Sequence, residues 1–206
     1  MQINIDKKTG ALLGIIIVLI AIIGLGMARN GDNRLFGMHG HEMMDSDKAE
    51  RTMDLSGAEV MFLQMMIPHH QQAVDISNLA ISKSKDSELI ALATNIRDGQ
   101  SAEIIQMKSW LAQADADMDM GHSMGDSMGG MLSEDELATL ESASEKDFNL
   151  LWLQGMTNHH DGALHMSEMI EDATNLEIES FGKNIVSTQS AQIEQMKLMI
   201  KRLSNS

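Results

Sequence analysis

Two pairs of adjacent histidines are the residues of this chain best suited to chemistry. The first pair, His69-His70, lies in the sequence MIPHHQQA, and the second, His159-His160, lies in MTNHHDGA. The segments that follow also correspond, because residues 189–197 read QSAQIEQMK, a near copy of QSAEIIQMK at residues 100–108. Imidazole is the commonest biological metal ligand, and a chain with 20 methionines and no cysteine has thioether sulfur as its soft donor. The duplicated pairs therefore predict metal binding.

The elements that must position these histidines are predicted to be helices. Aromatic residues make up only 3% of the chain and there is one proline, a composition that favours helix over strand. Capping-box patterns occur at Ser56, Ser133 and Thr174, and Asp86 is a further candidate N-cap. We predict long helices over about 56–83, 87–113, 145–172 and 176–203, and a short helix over about 134–142. Two duplicated helical hairpins of this kind give an all-α four-helix bundle.

Helical periodicity turns both histidine pairs toward the interior of that bundle. At about 100° per residue, one histidine of each pair lies on the apolar face of its helix and the other lies at the edge of that face. Counting from the hairpin turns puts Gln100 and Gln189 level with the pairs, where their amides could be hydrogen-bond partners without any metal. If the helices run up-down-up-down, all four histidines approach one layer. Offset hairpins would instead give two sites.

A methionine-rich layer, composed of Met66, Met107, Met156 and Met196, is predicted to lie beside the histidines. The candidate metal ligands are His69, His70, His159, His160, Met66, Met156, Met107 and Glu103, together with His165. The last of these lies on an exposed stripe with Asp161 and Met169, which is either a second, surface copper site or a solvated face.

The N-terminal part contains one unbroken apolar run at residues 11–28, which has the length of a short transmembrane helix and follows two lysines. We predict an uncleaved anchor, and a cleaved signal ending near Gly26-Met27-Ala28 is the alternative. The predicted organisation is a cytoplasmic N-terminus at 1–10, the anchor at 11–28, a Met/His-containing linker at 29–52, and a bundle at 53–206 with a Met/Gly-rich inter-repeat linker at 114–131. The bundle is therefore expected outside the cytoplasm, in the periplasm or the extracellular space.

Two glycine-rich strings add methionine and histidine in segments that are not expected to fold into the core. Residues 36–44 read FGMHGHEMM and residues 118–131 read MDMGHSMGDSMGGM. A thioether at every second or third position suits Cu(I) or Ag(I). The formal net charge of −15 argues against nucleic acid as a partner and is compatible with the capture of cations.

These residues resemble the domain-of-unknown-function family 305. The resemblance covers about residues 52–203 and rests on the MIPHHQQA motif, on the helix that carries Gln100, Glu103 and Met107 and ends in Trp110-Leu111, and on the second histidine pair. It implies a ferritin-like four-helix bundle, usually exported, and in some members copper binding that protects cells from excess copper. The matching positions are Met66, His69, His70, Met156, His159 and His160, with Glu103 and Met107 beside them. Asp161 and His165 depart from the usual pattern, which leaves the ligands of the second pair open.

We therefore predict a membrane-anchored, extracytoplasmic copper-binding protein, not an enzyme, that sequesters copper or hands it to a protein partner that the sequence does not identify. Zinc and silver are the other ions considered. A copper-dependent oxidase is one alternative, and a structural or sensing module whose histidines only form hydrogen bonds is another. Di-iron oxidase chemistry is not expected, because no Glu-x-x-His pair occurs in the chain.

Overall fold

Every regular element in the part of the chain that the structure describes is a helix. A computed structural model describes residues 53–118 and 129–205. The helices are α1 (Gly57–Lys83), α2 (Ser87–Gln113), the short α3 (Glu134–Ser142), α4 (Glu145–Ser167) and α5 (Leu176–Ser204). The predicted all-α fold is confirmed for these residues, which contain no strand. The third long helix is shorter than predicted, because its last turn is a 3₁₀ helix, Glu168–Ile170.

Most of the N-cap residues of the helices were predicted correctly from the sequence. Ser56 and Ser133 form reciprocal capping boxes at α1 and α3, and Asp86 accepts hydrogen bonds from two backbone N–H groups at the start of α2. The predicted N-cap residue of α5 was wrong by one position. Asn175, and not Thr174, caps this helix, because the Asn175 side chain accepts from the first free N–H groups.

The second hairpin is packed antiparallel to the first, so the helices run up-down-down-up and not up-down-up-down. The indole Nε1 of Trp152 donates a 3.0 Å hydrogen bond to the carbonyl of Ile76. Near the start of α1, Glu59 Oε1 accepts a 2.9 Å hydrogen bond from the backbone N–H of Asn175. Residue numbers therefore rise along α1 as those of the facing α4 fall. The up-down-up-down topology on which the shared histidine layer was predicted is corrected by these contacts.

A long crossover between α2 and α4 explains this topology. The end of α2 lies beside the start of α1, where the N–H of Met53 donates to the carbonyl of Gln113 at 3.0 Å. The α3 helix lies against the opposite end of α1. Between these two ends, the backbone N–H and carbonyl of Leu132 form two 2.8 Å hydrogen bonds with the side chain of Gln72. The crossover is therefore attached to the middle of α1.

The core consists of two apolar clusters. The first includes Ala73, Ile76, Ile96, Trp152, Met156 and Met196. The second includes Phe62, Met66, Met107, Ala163, Met166 and Ile185. The predicted single methionine layer is therefore wrong. Because α1 and α4 are antiparallel, Met66 and Met156, each three residues before a histidine, belong to different clusters.

None of the helices within residues 53–118 and 129–205 is long and apolar enough to cross a membrane. The predicted anchor at 11–28, the string at 36–44 and residues 119–128 of the inter-repeat linker lie outside the described residues.

Candidate metal centre

The four paired histidines lie together at the middle of the bundle, between the two apolar clusters. His69, His70, His159 and His160 expose no surface. The rings of His69 and His159 are in contact, with centroids 3.7 Å apart and planes at 37°, and within each pair the centroids are 6.3 Å apart. Each pair is near the middle of its helix, so the reversed direction of α4 leaves the two pairs level. We call these four residues the histidine layer.

Three of the four imidazoles donate a hydrogen bond from Nε2 to an oxygen. His70 donates to Glu103 Oε2 at 2.8 Å, and His69 donates to the backbone carbonyl of Gly129 at 2.9 Å. His160 donates to Gln192 Oε1 at 2.8 Å. Since these oxygens accept, each of the three rings has a proton on Nε2, and in a neutral ring with that proton the lone pair is on Nδ1.

The Nδ1 atoms of all four histidines are buried and have no hydrogen-bond partner in the described structure, and the same is true of His159 Nε2. A buried polar atom without a partner costs about 1–3 kcal/mol of stability. A histidine that serves only the core is normally satisfied by its neighbours. Several unsatisfied imidazole nitrogens in one layer therefore favour a function that needs free lone pairs.

Gln100 of α2 and Gln189 of α5 lie one helical turn before the residues that contact His70 and His160. Each is only 3% exposed, and both amide heteroatoms of Gln100 and the Oε1 of Gln189 have no partner. Trp110 of α2 packs edge-on against Phe181 of α5 at 5.0 Å, which fixes an antiparallel register that places the two glutamines level. Hydrogen bonds from these amides to the histidines, which were the alternative without metal, are not found in the described structure. Glu103 and Gln192, one turn further along each helix, fill that role.

Burial keeps His69, His159 and His160 neutral. Desolvation lowers the pKa of His69 to about 3 and that of His160 to about 4. Burial, followed by the charge of the neighbouring His69, lowers the pKa of His159 well below its ordinary value. Neutral imidazole is the form that binds metal ions, so no proton has to be removed from Nδ1 of His69 or His160 before binding.

The other predicted ligands have different surroundings. Met66, Met107, Met156 and Met196 are all buried, two in each apolar cluster. Glu103 lies behind His70 as a hydrogen-bond acceptor, and its role as a direct ligand stays a prediction. His165 is not brought to the layer. Its side chain is 68% exposed, and its Nδ1 donates to the carbonyl of Asp161, which raises its pKa.

The crossover also contributes to the layer, and sequence reasoning missed this contribution. Gly129, whose carbonyl accepts from His69, is packed directly on Gly162 of α4, where a Cβ atom would overlap that carbonyl oxygen. This close approach of the two backbones explains why the second copy of the motif has Gly162 at the position where the first copy has Gln72. Gln192 could have been identified, because the repeat aligns it with Glu103. The position of Gly129 had no such signal.

Within the described residues, no three side chains of histidine, aspartate or glutamate are grouped closely enough to hold a metal ion. The layer thus offers free donor atoms in a closed arrangement and not an assembled set of ligands.

The fold and this layer define a class of helical bundle with paired, inward-facing histidines. Residues 59–200 match the family described as Domain of unknown function (DUF305), and the chain belongs to this family. Among functionally curated proteins, none matches the chain significantly.

Several solved structures are similar to the chain. A DUF305 fragment from Deinococcus radiodurans is 30% identical, with a TM-score of 0.68 over 72% of this chain and 98% of that one. A DUF305 protein from Streptomyces coelicolor, predicted to be secreted, is 26% identical, with a TM-score of 0.66 over 71% and 92%. CopM in its Cu(II)-bound form is 31% identical, with a TM-score of 0.58 over 70% and 96%. CopM has also been solved in Cu(I)-bound and Ag-bound forms.

Proposed function

We propose that this protein binds copper ions as cargo, for sequestration or hand-over, and that the histidine layer is the binding site. The observation that carries the proposal is the set of four buried Nδ1 atoms that have no hydrogen-bond partner. Binding to a metal ion would use these lone pairs and offset the cost of burying them.

The oxygen acceptors behind the rings support this proposal. The second ring nitrogen of a metal-binding histidine usually donates to a carboxylate, a carbonyl or another acceptor, which fixes the tautomer and the ring orientation. His70 and His69 have such acceptors in Glu103 and Gly129, and His160 has one in Gln192. The same bonds would be needed if Nδ1 is the coordinating atom.

The donor set is suited to copper in both oxidation states. Imidazole nitrogen binds Cu(II), and the thioethers of the buried methionines on the two sides of the layer are soft ligands for Cu(I) or Ag(I). The similarity to CopM, whose copper-bound and silver-bound forms are known, supports the same choice of ions. Zinc is a further ion that imidazole would accept.

Loading must include a rearrangement, because the described side chains are not grouped as a ligand set. The tilted rings of His69 and His159 are in contact, with centroids 3.7 Å apart, so an ion bound between the rings would have to separate them. We propose that rotation of these rings, or a ligand set that includes methionine sulfur, creates the site.

The proposal extends to location and to the absence of catalysis. The likeness to a Streptomyces protein that is predicted to be secreted supports a domain outside the cytoplasm. The apolar run at 11–28 would attach it to the membrane. We propose a carrier and not an enzyme, because a closed, buried layer suits retention of an ion better than turnover of a substrate.

The test is a copper titration of the full-length chain in detergent, with Cu(I) and with Cu(II), followed by chemical unfolding. One variant replaces the four histidines of the layer with glutamine. The matched control replaces the other four histidines of the chain, His39, His41, His122 and His165. Circular dichroism verifies that both are folded, and leucine replaces glutamine in the layer if the first variant is not.

We expect the wild type and the control to bind copper and to be stabilised by about 2.7 kcal/mol at a hundred times the dissociation constant. The layer variant should lose both effects. Equal binding by the layer variant and the wild type would refute the proposed site. Loss of binding only in the control would move the site to the surface histidines and the Met/Gly strings.

A further inference from the structure

The two halves of the histidine layer are related by the repeat but differ in one charge. In the first half, His70 donates from Nε2 to the carboxylate of Glu103. In the second, His160 donates from Nε2 to the amide oxygen of Gln192. Both hydrogen bonds are 2.8 Å long, and both acceptors occupy the fourth position of a QSA-E/Q segment. Glutamate and glutamine have nearly the same shape, so charge is the main difference between the two contacts.

That charge changes what each imidazole offers to a cation. A carboxylate behind a histidine makes the ring a more basic ligand than an amide does. It also supplies a negative charge close to a site where the solvation of an ion has been removed. The cost of removing an ion from water rises with the square of its charge, so a divalent ion needs this compensation more than a monovalent ion does.

The surroundings of Glu103 support an electrostatic role. Among the described residues, its carboxylate forms no ion pair with a lysine or an arginine and accepts the 2.8 Å hydrogen bond from His70. The side chain of Glu103 is 23% exposed, while that of His70 is fully buried. The carboxylate therefore connects the buried ring with the solvent. The equivalent position beside His160 has no charged side chain in the described contacts.

We propose that Glu103 is a positioning residue that gives the His70 half of the layer its preference for divalent ions, whereas Gln192 leaves the His160 half better suited to monovalent ions. This inference rests on the proposed function, because it assumes that the layer binds metal. It adds that the two halves are not equivalent, and it assigns the difference to one pair of residues.

The test compares Zn²⁺ and Ag⁺, two redox-inert ions of different charge, in competition titrations of the full-length chain. The variants are Glu103→Gln, Gln192→Glu and the double exchange of both. The variant with glutamine in place of all four histidines of the layer serves as a blank for binding elsewhere in the chain. The readout is the ratio of the Zn²⁺ affinity to the Ag⁺ affinity, because damage to the fold alone would lower both affinities together.

We expect Glu103→Gln to weaken Zn²⁺ binding by about 10- to 100-fold and to leave Ag⁺ binding nearly unchanged. Gln192→Glu should strengthen Zn²⁺ binding, and the double exchange should restore it from the level of Glu103→Gln. The inference is overturned if Glu103→Gln leaves the Zn²⁺ affinity unchanged or lowers the affinities for both ions equally. It is also overturned if the double exchange does not restore the Zn²⁺ affinity. If the wild type binds no better than the blank, the proposed function fails as well, and this outcome is distinct from the others.

Discussion

Acidification from pH 7 to pH 5 should destabilise the metal-free protein through the histidine layer. The pKa of His69 is lowered from 6.5 to about 3, and that of His160 to about 4, mainly by burial. The unfolded chain therefore takes up protons at a pH where the folded protein does not. Stability from these groups is fully present above pH 6.5 and is lost as the pH falls toward the folded-state pKa values.

The size of the effect follows from these pKa values. At pH 5, a histidine that titrates at 6.5 when unfolded and at or below about 4 when folded costs about 2 kcal/mol of stability. His69 and His160 together would lower the free energy of unfolding by about 4 kcal/mol, and the lowered pKa of His159 acts in the same direction. Since a domain is stable by about 5–15 kcal/mol in total, this loss is readily measured.

The assay is urea unfolding of the full-length chain at pH 7, 6 and 5 in the presence of a chelator. Burial raises the carboxyl pKa of Glu59, but hydrogen bonds from Asn175 and Ser56 outweigh burial and lower this pKa from 4.5, so the folded carboxyl group stays ionised between pH 7 and pH 5. His160→Gln should reduce the loss between pH 7 and pH 5 by about 2 kcal/mol. His165→Gln is the control and should not reduce it, because the exposed His165 has a raised pKa.

The reasoning would be refuted by a wild-type free energy of unfolding that is the same at pH 5 and pH 7. It would also be refuted if His160→Gln retained the whole loss, since the acid sensitivity would then arise outside the layer.

Two further pairs of substitutions test the packing around the site by urea unfolding. Gly162→Ala should destabilise the protein by about 1–3 kcal/mol, because the new Cβ atom would overlap the carbonyl of Gly129. At Gly99, a new Cβ atom would have no neighbour within 4 Å, so Gly99→Ala should stabilise α2 by about 1 kcal/mol. Equal effects of the two alanines would contradict the close contact of the crossover. Glu59→Ala should cost about 2–3 kcal/mol, because this buried carboxylate accepts hydrogen bonds from the N-cap residue Ser56 and from Asn175 after the α4–α5 turn. Glu136 is the equivalent capping-box residue of α3 and is exposed, so Glu136→Ala should cost about 1 kcal/mol or less. Equal costs for Glu136→Ala and Glu59→Ala would argue against the role of burial.

The helices and their inward faces were predictable because the signals for them are local. Capping residues at Ser56, Asp86 and Ser133 marked three helix starts, and the 3.6-residue period turned His69 and His159 inward. The two pairs met although the predicted topology was wrong. Their position at the middle of each helix makes their level insensitive to the direction of the second hairpin.

What could not be predicted depends on long-range contacts. The crossover reverses the second hairpin, and nothing local to α4 encodes that reversal. It separates Met66 from Met156, and it brings Gly129 to His69 over 60 positions of sequence. Distinguishing Gln192 from Gln189 as the partner of His160 required a precision of one helical turn, which an estimated hairpin register does not provide.

The most direct test of the account is the nitrogen NMR spectrum of the histidine rings in the full-length chain, recorded during titration with Cu(I) under anaerobic conditions. Cu(I) is diamagnetic, and the two ring nitrogens respond differently to the loss of a lone pair. The account predicts that copper shifts the Nδ1 signals of His69, His70, His159 and His160, while the Nε2 atoms of His70 and His160 keep their protons. Signals from the layer that remain unchanged at saturation, with shifts confined to the other four histidines, would contradict it.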